Sequence, residues 1–195
     1  GSSCQLDFNF FLSGGDLTEA NASTCGKICV GQSTTLNGYA VGGKPNYTYT
    51  WSNGLGTGQS KTISPNTTTA YTVTATDANG CTATDVVTVL VYPKPTVDVG
   101  VNQTVCAGKC ADLKAVASGG TPAYTYEWNN GLGSGPNKNV CPTQTTTYTV
   151  TVTDSKGCTA TNAVTVFVNP TIEITISKTD PKCGLNNGSA TANVI

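Results

Sequence analysis

Tyr71-Thr-Val-Thr-Ala-Thr76, followed by Asp77-Ala-Asn-Gly80 and Cys81, decides the fold of this chain. Tyr, Val and Ala alternate with Thr at a period of two, the spacing that turns one face of a β-strand toward a core and the other toward water. The next four residues open on a turn former and close on Gly, so the strand is expected to fold back on Cys81 to Val91 as a hairpin. The same pattern returns 77 residues later as Tyr148-Thr-Val-Thr-Val-Thr153, Asp154-Ser-Lys-Gly157 and Cys158.

The copy stays in phase without a gap: Cys29 recurs as Cys106, Trp51 as Trp128, Cys81 as Cys158 and Pro93 as Pro170. A fixed period of this length marks one domain copied end to end. Within each copy, Thr34 to Ala40, Tyr47 to Trp51 and Lys61 to Ser64 read as further strands, separated by Gly42-Gly43-Lys44-Pro45 and the Gly-rich Asn53 to Gly58. No segment keeps a helical period. The expectation is all-β, with two-sheet sandwiches of about seven strands each. The first unit spans 1–93 with an atypical N-terminal strand, the second 94–170, and 171–195 supplies the opening strands of an incomplete third. Ser189 to Ile195 reads there as an early strand without its sheet, to be completed by continuing chain or by a neighbouring molecule.

Composition narrows the class. A unit of about 77 residues buries little more than 60% of its unfolded surface, so extra stabilisation is expected. Nine Cys with no CxxC pair and no His point to disulfides in an oxidising, extracellular setting rather than to zinc. The ten basic residues are all Lys and the net charge is −1, so the basic clusters and Arg forks of a nucleic-acid surface are missing. No apolar run reaches the roughly 18 residues of a membrane span. Met is absent and no stretch reads as a signal peptide; the opening Gly1-Ser-Ser-Cys4 suits a processed mature end or the remnant of an added tag.

Two longer runs carry a resemblance. Gly-Gly-x-Pro-x-Tyr-Thr-Tyr-x-Trp occupies Gly42 to Trp51 and, with Glu127 before the Trp, Gly119 to Trp128. Thr-Thr-x-Tyr-Thr-Val-Thr-x-Thr-Asp-x-x-Gly-Cys-Thr-Ala-Thr occupies Thr68 to Thr84 and Thr145 to Thr161. Together they resemble the PKD-like, immunoglobulin-like SprB-type repeats of large surface adhesins from gliding Bacteroidota, and Cys183-Gly-Leu-Asn-Asn-Gly-Ser-Ala-Thr191 is similar to the start of another copy. The resemblance implies export to the cell surface and a role in filaments, stalks, adhesion or gliding motility; it implies no active site. Gln5 to Thr24 departs from the pattern, since Leu6, Phe8 and Phe10 alternate as in a strand but the linker proline is missing.

The cysteines pose a wiring problem. Ser33 and Ser64 of the first copy become Cys110 and Cys141 in the second. In an immunoglobulin-like topology those positions open the second strand and close the fifth, antiparallel neighbours with adjacent ends, so a Cys110 to Cys141 bridge is predicted. Cys29 with Cys81 is the obvious pairing inside one unit, but the two are expected at opposite poles. A strand of some ten residues spans more than about 30 Å, whereas bonded Cα atoms lie within about 7 Å. The alternative is a staple across the junction from Cys29 to Cys158, which leaves Cys106 to await the equivalent residue of a third unit. By the same argument Cys4 would face Cys81, with a local Cys4 to Cys25 bridge competing. The total is odd, so one cysteine, Cys183 by position, is expected to be free or bonded outside the chain.

Other candidates have plainer readings. Trp51 and Trp128 fit core filling better than a sugar platform, because the same Trp stands in every copy. Asp77 and Asp154 sit in four-residue turns without the dense oxygen ladder of a calcium site, and Asp98 reads as the outward position between Val97 and Val99. Without His the usual Ser-His and Cys-His arrangements cannot be built, so no enzyme, metal or cofactor is expected. Sequons occur at Asn21, Asn46, Asn66, Asn102 and Asn187.

These features predict a non-catalytic extracellular repeat protein at the cell surface, forming the shaft of an adhesin or filament. Its partners would be neighbouring repeats or subunits of the same filament and surface glycans. The alternative is a carbohydrate-binding accessory module of a secreted protein. A receptor-like module with one protein partner would need an apolar patch, for which only Phe8, Phe10 and Phe11 stand out.

Overall fold

The alternation of Thr with apolar residues is realised as strands throughout. The structure is a computed structural model and describes residues 17–23, 26–180, 183–184 and 188–194. The first repeat comprises β1 (Leu17–Ser23), β2 (Lys27–Cys29), β3 (Thr34–Gly42), β4 (Thr48–Trp51), β5 (Gly56–Thr57), β6 (Ser60–Ile63), β7 (Thr69–Thr76) and β8 (Thr82–Tyr92). The second comprises β9 (Pro95–Asp98), β10 (Gln103–Cys106), β11 (Ala111–Lys114), β12 (Val116–Gly119), β13 (Tyr124–Trp128), β14 (Gly133–Ser134), β15 (Asn137–Val140), β16 (Thr146–Asp154) and β17 (Thr159–Asn169). A hairpin of β18 (Ile174–Thr179) and β19 (Ser189–Val194) follows, and no helix occurs among the described residues.

Two sheets build the first repeat, one in the order β1-β3-β6 and the other β2-β8-β7-β4-β5. Tyr71, Val73 and Ala75 of β7 point inward at 6%, 0% and 0% exposure and pack with Leu36, Trp51, Ile63 and Val89. Each such Val or Leu stabilises the fold by about 1.5–3 kcal/mol relative to leaving it in water. The second repeat repeats the five-stranded sheet as β10-β17-β16-β13-β14, and its pairs β11-β15 and β9-β12 are the counterparts of β3-β6 and β1-β3, with β3 divided into β11 and β12. Its buried residues occupy the same places: Leu113, Trp128, Val140, Tyr148, Val150, Val152 and Val166. The architecture is all-β and immunoglobulin-like in both copies.

Strand positions follow the sequence reading within two residues, as with Thr34–Gly42 for the expected Thr34 to Ala40. The C-terminal segment behaves differently. Ser189 was expected to open a strand lacking its sheet; instead β19 pairs antiparallel with β18, from Ile174↔Val194 to Thr179↔Ser189. Backbone N–H and C=O groups need partners, and the hairpin supplies them locally. It leaves Ile172, Ile174 and Ile176 exposed at 75%, 62% and 74%. One period earlier the equivalents are Pro95 and Val99, both buried, and Val97, half-buried.

By compactness the described residues form two units. One gathers the residues up to 96 with 118–124 and 153–160; the other holds 97–117, 125–152 and those from 161 on.

Candidate functional site, the cysteine framework

The first compact unit carries a disulfide between Cys29 and Cys158, which lie 129 residues apart in sequence with Cα atoms 5.6 Å apart. Each half is presented by backbone bonding rather than by chance proximity. Cys29 closes β2, which runs parallel to β8 in the register Cys29↔Tyr92. Gln32 fixes the turn that follows: its N–H donates to the Cys29 carbonyl and its side-chain oxygen accepts from the Cys29 N–H, both at 2.9 Å.

Cys158 is held by Asp154. The Asp154 N–H donates to the Cys158 carbonyl at 2.9 Å, and Asp154 Oδ1 accepts from the N–H groups of Lys156 and Cys158 at 2.9 Å each. Oδ2 reaches the Gly-Gly-x-Pro loop and accepts from the Thr121 N–H at 2.9 Å. Asp77 does the same in the first copy, bonding the N–H groups of Lys44, Asn79 and Cys81 at 2.9, 2.9 and 2.8 Å. Both carboxylates are buried at 5% exposure. The Lys44 N–H, followed by those of Cys81, Asn79 and Gly80, outweighs burial and holds Asp77 below the usual carboxylate range. Burial pushes Asp154 the other way, but the N–H groups of Thr121, Cys158, Lys156 and Gly157 together hold it low as well.

Beside the disulfide, Lys156 Nζ stands 5.6 Å from the centre of the Tyr92 ring, a cation–π approach. Cys29 is 6% exposed and Cys158 fully buried. Cys81 cannot serve as the partner of Cys29, because the 11-residue β8 separates them. That strand spans about 36 Å. Cys81 is instead a free, exposed thiol. Cys4 and Cys25 lie outside the described residues, as do Phe8, Phe10 and Phe11.

In the second repeat, β11 and β15 are antiparallel with Ala111 opposite Val140, so the flanking Cys110 and Cys141 meet and are bonded with Cα atoms 4.0 Å apart. Cys106 and Cys183 are free and exposed.

Trp51 and Trp128 are both 3% exposed. Trp51 Nε1–H donates to the Gly58 carbonyl at 2.9 Å and Trp128 Nε1–H to that of Gly135 at 3.0 Å. The Tyr47 and Tyr124 hydroxyls donate to the carbonyls of Gly42 and Gly119. Asp98 is exposed and bonds the Gly100 N–H. Asn46, Asn66 and Asn102 are exposed, although Asn102 Oδ1 already accepts from the Thr165 N–H at 2.9 Å. Among the described residues no group of three or more His, Cys, Asp or Glu could hold a metal ion. Among them, too, no helix is long and apolar enough to cross a membrane.

Sequence reasoning missed the reach of Asp77 and Asp154 to loops 33 residues away. The usable signal was that Gly-Gly-x-Pro recurs with Asp at one fixed distance in both copies. It also missed Gln32, Lys156 and Tyr92.

These features define a class: tandem immunoglobulin-like β-sandwich repeats bound covalently through disulfides, which suit an oxidising, extracellular setting. More particularly, residues 112–133 match the SprB repeat family model. No curated protein matches the chain at a significant level. Among solved structures, the fibronectin(III)-like modules of Clostridium thermocellum CbhA are 14% identical, with 77% of this chain and 94% of theirs covered at a TM-score of 0.41. The C-terminal intimin fragment, in complex with the translocated intimin receptor domain, is 18% identical over 83% of this chain and 66% of its own at 0.48. The N-terminal eight immunoglobulin domains of the Down syndrome cell adhesion molecule are 15% identical over 78% and 25% at 0.42.

Proposed function

We propose that the chain is a non-catalytic segment of an extracellular adhesin or filament shaft, in which immunoglobulin-like repeats are joined by covalent bonds as well as by the backbone. The observation that carries this reading is the Cys29 to Cys158 disulfide, which ties a strand end of one repeat to a turn of the next. Thr-rich outer faces keep the strands solvated with little charge. The match of residues 112–133 to the SprB repeat supports placement at the cell surface, with neighbouring repeats or subunits as the first partners. A carbohydrate-binding role built on Trp51 and Trp128 is disfavoured, because both rings are buried and both indole N–H groups are engaged by backbone carbonyls.

The test is labelling of intact producing cells with antibodies raised against the purified chain. Surface label that is lost on mild external proteolysis is the expected result. Label that appears only after permeabilisation would overturn the reading, and saturable binding to a glycan array would favour the carbohydrate-binding alternative.

A further inference from the structure

The Cys29 to Cys158 bond has one half in each repeat, and each repeat also carries the other half unused. Cys106 is the period mate of Cys29, and Cys81 that of Cys158. Their backbone settings match. Cys29 closes β2 opposite Tyr92 of β8, and Cys106 closes β10 opposite Asn169 of β17, both in parallel register. The next residue donates across the pair in each case, Val30 to the Tyr92 carbonyl and Ala107 to that of Asn169, both at 2.9 Å. Each turn then passes through a glycine two residues after the cysteine, with φ of 80° at Gly31 and 79° at Gly108.

The turn cysteines are equally alike. Asp77 donates its N–H to the Cys81 carbonyl and accepts the Cys81 N–H on Oδ1, as Asp154 does with Cys158. What differs is bonding and exposure: Cys29 and Cys158 are joined and buried, whereas Cys81 and Cys106 are free and exposed. The cation–π pair beside the bond is not copied, since Asn79 and Asn169 stand where Lys156 and Tyr92 do. The cysteines and their backbone settings repeat; these flanking side chains do not.

Resting on the array reading above and deepening it, we propose that Cys106 and Cys81 are the two open halves of the same staple, each completed by a further repeat of this kind. Polarity is fixed by the bond already present: the strand-end cysteine of one repeat takes the turn cysteine of the repeat after it. Cys106 therefore takes a turn cysteine from a following repeat, and Cys81 a strand-end cysteine from a preceding one. Cys183 lies one period beyond Cys106 but does not share its setting, since its glycine follows at once, at Gly184, and it stands in a turn rather than at the end of a strand.

Closing a bond requires a two-electron oxidant, for which a small-molecule disulfide suffices. The Cys106 thiolate attacks oxidised glutathione, forming a mixed disulfide and releasing one glutathione thiol. The turn-cysteine thiolate of the next repeat then attacks the Cys106 sulfur and releases the second. Two protein thiols become one disulfide, and one glutathione disulfide becomes two thiols.

The first arm of the test takes native-source protein, alkylates it under denaturing, non-reducing conditions and maps its peptides. Cys81 and Cys106 are expected to resist alkylation, each bonded to the complementary class of cysteine. A mass unchanged by reduction would place the further repeat in the same polypeptide, and a fall would place it in a second copy. The second arm incubates the purified chain in glutathione redox buffer. Head-to-tail oligomers joined Cys106 to Cys81 are expected; Cys81→Ser and Cys106→Ser should each stop that product, and mixing the two variants should restore it as dimers alone. Free thiols at Cys81 and Cys106 in the native protein, or products joined like to like or through Cys183, would overturn the proposal. Surface label together with free thiols would sink the staple and leave the array reading standing.

Discussion

The Asp154 carboxylate accepts the backbone N–H of Thr121 at 2.9 Å across 33 residues of sequence. Through that bond the β16–β17 turn, which presents Cys158, is tied to the Gly119-Gly120 loop. Asp154 is held below its ordinary pKa, so the stabilisation it gives the fold is present above about pH 4 and is lost as pH falls through the lowered value. Asp154→Asn is expected to lower the melting temperature at neutral pH, with the gap from the parent chain closing under acid. Thermal melts from pH 7 to pH 2 check this, and a constant gap would show that ionisation is not what matters.

Gly120 tests the same clamp from the other side. Its φ is +60°, and a Cβ there would fall 2.7 Å from Asp154 Oδ2 and 2.9 Å from the Pro95 nitrogen. A left-handed backbone costs a non-Gly residue roughly 1–2 kcal/mol even in open space. Gly120→Ala should therefore cost more than that, read as a drop in the urea midpoint. A neutral result would mean that the loop can shift away from Asp154.

Cys110 and Cys141 close a loop with a sequence separation of 31 residues. Replacing both with Ser, the residues that Ser33 and Ser64 supply in the first copy, should lower unfolding stability by about 3.7 kcal/mol in the loop-entropy model. Denaturant titration of the double variant should lower the transition of the second repeat and leave that of the first in place. Equal loss in both would contradict a bridge that acts locally.

Trp51 and Trp128 are buried, so iodide should quench their fluorescence hardly at all in the folded chain. Trp128→Ala should cost about 3–5 kcal/mol through the cavity it leaves. Trp128→Phe should cost less, mainly by leaving the Gly135 carbonyl without its donor. Strong quenching in the native state would place the rings at the surface instead.

How much of this could be read from residues alone depends on range. Strand alternation in Tyr71 to Thr76 is a local signal and came through within two residues. Paired substitutions are a non-local signal that the duplication exposes, which is how Ser33 and Ser64 against Cys110 and Cys141 pointed to two adjacent strand ends. The parallel pairing of β2 with β8 and the Lys156 approach to Tyr92 leave no such mark. Each depends on how distant segments meet, and a single copy of a residue pair offers nothing to compare. The β18–β19 hairpin was hidden for another reason: its residues have their counterparts in β9, β11 and β12, and it repeats the β9–β12 pairing, which joins segments distant in sequence and is not announced by alternation within either strand.

The Cys29 to Cys158 bond also sets a path for load. A pull applied upstream of Cys29 and downstream of Cys158 would cross directly from one sulfur to the other, bypassing the chain between them, including the smaller Cys110 to Cys141 ring nested within it. Unfolding inside that ring adds almost nothing to the end-to-end length while the bond holds. With 129 residues of separation, the hidden length approaches some 450 Å at about 3.5 Å per residue, released only when a reductant opens the ring.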